Sequence, residues 1–179
     1  MLEIKFFKGV AMGHLTYSFH EILPGIVYNN TLSLRELVRQ AVGKQNLYNI
    51  SPGIEFDKLS RPKVVGGKMH PKLVSVTTCE KIKMVAEELK DANHLLGDLG
   101  ELAQFTAHYP NEVAKYDRVF SLDENSRWEN SDGQICVAYA SVDGSKRCFR
   151  HCRFDQFIGK TDAVLIFEVA QSTHRDLVD

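Results

Sequence analysis

Cys148-Phe149-Arg150-His151-Cys152 gathers two thiols and an imidazole in one short stretch, the groups from which metal sites and thiol nucleophiles are made. On a strand, the two sulfurs of this stretch stand roughly 13 Å apart at ~3.3 Å per residue. That is too far to share a zinc ion with bonds of ~2.3 Å. A hairpin across Asp143-Gly144 brings in Cys136, opposite His151 for a two-residue turn or opposite Cys152 for a three-residue loop. Either register supplies two ligands, short of the tetrahedral set that structural zinc requires. No metal and no cofactor is expected. Cys136 with His151 remains a candidate thiol and base.

Cys79 follows Thr77-Thr78 where a capping box, Thr77 with Glu80, marks a helix start. In the first turn of a helix the free N–H groups stabilise a thiolate. His14-Leu15-Thr16 resembles half of a tandem phosphodiesterase motif, but no second His-x-Thr or His-x-Ser occurs. Nucleotide-loop, serine-hydrolase and zinc-protease spacings are all missing. The chemistry is therefore more that of a binding protein than of an enzyme.

Charge carries the binding argument. Lys58, Arg61, Lys63, Lys68 and Lys72 follow one another with no acidic residue before Cys79, and Lys146, Arg147, Arg150 and Arg153 crowd one strand. Setting these nine aside leaves 13 basic residues against 23 acidic ones, so a nearly neutral chain of net charge -1 has two basic segments on an acidic body. The functional reading joins both segments into an anion-binding surface. The plainer reading gives the basic strand an edge position, where charge on both faces deters pairing with other chains. Arg127 and Trp128, in an acidic polar loop, add a contact candidate, since Trp and Arg dominate interface hot spots.

These residues need elements to hold them. Apolar residues alternate at Leu2, Ile4 and Phe6 and again through 14–20, the period of a half-buried strand. Ser33 and Glu36 box the start of a helix with Leu34, Leu37, Val38, Ala41 and Val42 on one face and Gly43 as its stop. Residues 44–72 are broken by Pro and Gly into one long basic loop. A second helix is expected from Thr77 towards Gly97, and a third from Asp98 and Glu101 to Pro110. Strands return at 118–122, 135–142 and 146–154. The run Ala163–Val169 has no alternation, which requires cover on both faces.

The 179 residues thus predict a single α+β domain over 1–179, a mainly antiparallel sheet carrying about three helices. The longest apolar run, 163–167, is far short of a membrane span, and the charged N-terminal residues do not read as a signal peptide. Four cysteines without an export signal read as reduced thiols in the cytoplasm. The expected activity is docking on a protein or a protein–nucleic-acid assembly through the basic and aromatic loops. Direct nucleic-acid or nucleotide binding, and a cysteine enzyme at Cys79 or at Cys136 and His151, are the alternatives. Oligomeric state is left open.

Overall fold

Alternation in the central strand organises the molecule. The computed structural model describes residues 10–12, 15–28, 31–43, 46–60 and 68–168. The candidates Leu2, Ile4, Phe6 and His14 lie outside them. The elements are β1 (Val10–Met12), β2 (Leu15–Phe19), β3 (Ile26–Val27), α1 (Leu34–Val42), β4 (Lys68–Val76), β5 (Glu80–Lys81), α2 (Ile82–Asp91) and β6 (Leu95–Leu96). There follow α3 (Leu99–His108), α4 (Pro110–Val113), β7 (Arg118–Phe120), β8 (Arg127–Glu129), β9 (Ile135–Asp143), β10 (Lys146–Arg153), β11 (Phe157–Ile158) and β12 (Asp162–Glu168). The sheet runs β1-β2-β4-β12-β7-β9-β10, antiparallel at each junction except β12 with β7.

β12 lies in the middle. Ala163, Leu165 and Phe167 enter the core under α1 and α3, whereas Val164 and Ile166 enter the core under α2. Both faces are covered, as the unbroken apolar run requires. The fold is α+β: helices packed on a large, mainly antiparallel sheet.

Local signals hold where nothing competes with them. Ser33 and Glu36 form the expected box, Glu36 returning its carboxylate to the Ser33 N–H at 2.9 Å. Gly43 ends α1 at φ 88°. Asp98 and Glu101 cap α3 in the same way. Pro110 begins α4 instead of simply stopping α3, because a proline at N1 gives up an N–H that no helix uses.

The second helix departs from its expected start. Thr77 turns its hydroxyl to the Thr16 carbonyl at 2.8 Å, and Glu80 and Lys81 pair with Phe157 and Ile158. Strand pairing across the fold displaces the local cap, and α2 begins only at Ile82. Its free N–H groups are taken by carbonyls of the distant turn between β10 and β11, Ile82 to Gln156 at 2.8 Å and Lys83 to Phe154 at 3.1 Å. The helix is also shorter than expected: Asn93, at φ 60°, leads the chain to Leu95–Leu96, which pair with β12.

β4 begins at Lys68, inside the stretch expected to be loop up to residue 72, and it passes through Pro71. The Pro71 and Leu73 carbonyls both accept from the 20–23 segment. The N–H that proline lacks points to that same side, where a loop lies instead of a full ladder.

Candidate functional site

The edge of the sheet is where unused side chains collect. β9 and β10 close over a turn centred on Gly144-Ser145, with Asp143 opposite Lys146 and Gly144 at φ 59°. The turn lies one residue further on than Asp143-Gly144, so every cross-strand neighbour changes. Cys136 faces Arg153, His151 faces Ala138, Cys152 faces Val137, and Tyr139 faces Arg150.

The new register overturns the Cys136–His151 pair. Cys136 turns its thiol to the Gln134 carbonyl at 3.7 Å, and burial pushes its pKa up. Burial pushes the Cys152 thiol up to about 12. Neither is activated. Cys79 is exposed but lies before β5, outside the helix whose N-terminus was to activate it. No cluster of three or more His, Cys, Asp or Glu among the described residues could hold a metal ion.

His151 has a different partner. The segment around 50 runs along the outer edge of β10, with an Ile50–Phe149 bridge and the Ser51 N–H donating to the Phe149 carbonyl at 2.8 Å. Ser51 Oγ and His151 Nδ1 share a hydrogen bond of 2.9 Å. Gly53 lies so close to the ring that a Cβ there would sit 2.2 Å from His151 Cε1. On its other side the imidazole meets Trp128, ring centroids 5.9 Å apart. The histidine is a clasp that fastens this strap to the sheet edge.

Two open depressions lie along β9 and β10, the second of them against the clasp. One, of about 460 Å³, is lined by Lys115, Asp117, Arg118, Tyr139, Asp143 and Arg150 among others. The other, of about 500 Å³, lies between the strap residues Tyr48, Asn49 and Ser51 and the strand residues Tyr139, Arg150 and His151. Tyr139 and Arg150 line both, so the two form one trough with that pair at its middle.

Electrostatics single out Arg150. Arg118 holds the buried Asp162 with two bonds, 2.9 and 2.6 Å, and its guanidinium lies over Phe120 and Tyr139. Lys115 is paired with Glu112 at 2.7 Å. Arg147 donates to the Ala41 carbonyl at 3.1 Å, satisfying the end of α1. Arg153 pairs with Asp155 at 3.2 Å. Arg150 is exposed, and its guanidinium makes no ion pair or hydrogen bond among the described residues. Burial raises the Tyr139 phenol and pushes Tyr116 up to about 12, so both rings stay neutral walls. Tyr48 is 72% exposed at the far rim.

Of the rest of the expected surface, no described residue lines this trough. Arg61 and Lys63 lie outside the described residues, as does the side chain of Lys68, whose backbone opens β4. Lys58 is neutralised by Glu55 at 2.8 Å and also donates to the Glu129 carbonyl at 2.7 Å. Lys72 lies over the Phe19 ring at 5.2 Å. Neither lines the depressions at Arg150. Trp128 is not offered at the surface: it is 3% exposed and folded into the core. Arg127 is half-buried, donating to the Leu122 carbonyl at 2.7 Å and stacked on Phe154 at 4.4 Å. Both residues pack inward because β8 pairs with β9, a contact that a local stretch of polar residues does not announce.

Tyr48, Ser51, Gly53 and Tyr139 were the residues that sequence reasoning missed. Tyr139 had a signal in its odd-numbered position on a strand, sharing a face with Val137 and Ser141. The strap residues had none. No helix among the described residues is long and apolar enough to cross a membrane. No family model, no curated protein and no solved structure matches the chain, so the candidate site stands on its own geometry.

Proposed function

We propose that the protein is a non-enzymatic binding protein, regulatory in character, that docks on a macromolecular partner through the trough centred on Tyr139 and Arg150. The observation that carries this reading is an exposed guanidinium without a partner among the described residues, set among tyrosines, while the neighbouring Arg118, Arg147 and Arg153 are spent on the fold itself. Tyrosine and arginine supply most of the energy of protein interfaces, because each offers a large contact area with a polar end. The raised thiols argue against cysteine catalysis. An exposed free thiol at Cys79 suits a reducing compartment, and we assign the protein to the cytoplasm on that ground.

The test is quantitative capture of partners from nuclease-treated native extract by wild-type protein, Arg150→Glu and Tyr48→Ala. The captured set should be lost or strongly reduced with both variants. Identical capture by all three proteins would remove the trough as the docking surface.

A further inference from the structure

The partner's chemistry can be read from the charges of the trough, given the docking reading above. Lys115 and Arg118 are already neutralised by Glu112 and Asp162. Among the described residues that leaves Arg150 as the unpaired cation of the lining, together with two carboxylates, Asp117 and Asp143, that make no ion pair. A nucleic-acid strand carries a phosphate at every nucleotide. A strand lying along this depression on Arg150 would also face Asp117 and Asp143, and like charges facing one another cost several kcal/mol. A polypeptide can place both signs side by side. We infer that the trough receives a mixed-charge peptide segment of a partner protein, with a carboxylate on Arg150, a Lys or Arg side chain towards Asp117 and Asp143, and apolar groups against Tyr48 and Tyr139.

The strap decides how the segment lies. The Phe149 carbonyl already accepts from Ser51, and Ile50 bridges the same residue. The outer edge of β10 is thus occupied at its centre, and the segment crosses the sheet face without adding a strand.

The experiment is selection from a random peptide library displayed on phage, against wild-type protein, Arg150→Glu and Asp117→Lys/Asp143→Lys. Fluorescent oligothymidylate serves as a parallel probe by anisotropy. Selected peptides should carry acidic and basic residues together and lose about tenfold or more in affinity for Arg150→Glu. The doubly reversed variant should select peptides depleted in Lys and Arg. Peptides that depend on Arg150 but are purely acidic and indifferent to Asp117 and Asp143 would overturn the mixed-charge inference and leave docking at the trough intact. Oligothymidylate binding that depends on Arg150, with no peptide selected, would overturn the polypeptide assignment. If no probe distinguishes wild type from Arg150→Glu, the inference and the docking reading fall together.

Discussion

Tyr139 and Arg150 stand opposite one another across the β9–β10 ladder, and the pair lines both halves of the trough. The pairing depends on the hairpin closing at Gly144-Ser145. A shift of one residue along β10 would set a different side chain against Tyr139 and carry Arg150 to another neighbour. Function, on the reading proposed here, hangs on the register of a single turn.

Arg150→Glu should separate binding from folding. The side chain is exposed and supports no other group among the described residues, so unfolding free energy in urea should stay within about 0.5 kcal/mol of wild type. A large loss of stability would show that Arg150 belongs to the architecture after all.

Gly53 and His151 should be coupled. Gly53→Ala places a Cβ 2.2 Å from the imidazole, and overpacking of this kind costs about 1–3 kcal/mol. In a His151→Ala background the obstruction is gone, and the same change should become nearly neutral. A double-mutant cycle by chemical denaturation measures the difference. Additive effects would mean that the strap does not lean on the ring.

The Arg118–Asp162 pair should be structural. Asp162 is 2% exposed and also accepts from the Gly159 N–H at 2.8 Å. Asp162→Ala leaves a half-buried guanidinium and a backbone donor without their partner. A loss of about 3 kcal/mol is expected, read as a fall in Tm. Retention of wild-type Tm would show that solvent replaces the carboxylate at no cost.

Alkali should weaken the fold, with a direction set by the raised thiols and phenols. Burial keeps Cys136 and Cys152 neutral in the native state, Cys152 up to about 12, while an unfolded thiol ionises near ~8.5. Above that pH the unfolded chain binds fewer protons than the native one, and stability falls as pH rises. The contribution is intact below ~8.5 and declines towards about 12 for Cys152. Tyr17 and Tyr28, raised chiefly by burial, add to the decline near ~10 and above. Urea midpoints from neutral to alkaline pH should show this slope, and Cys152→Ala should flatten its lower part. At neutral pH a thiol reagent should modify exposed Cys79 before the buried Cys136.

Composition and periodicity, read alone, determined the α+β class, the α1 face from Leu34 to Val42, the capping residues of α1 and α3, and the central place of the run beginning at Ala163. These are local facts: which side chains share a face, which N–H groups a nearby carboxylate can reach, which stretch must be covered on both sides. The start of α2, the inward packing of Trp128, the strap on His151 and the isolation of Arg150 were decided by tertiary structure. Each depends on a group distant in sequence, such as Gln156 capping Ile82 or Ser51 meeting His151. Moving the hairpin turn by one residue leaves local propensity almost unchanged, yet it exchanges every neighbour along the ladder. Packing of the whole sheet therefore had to choose it.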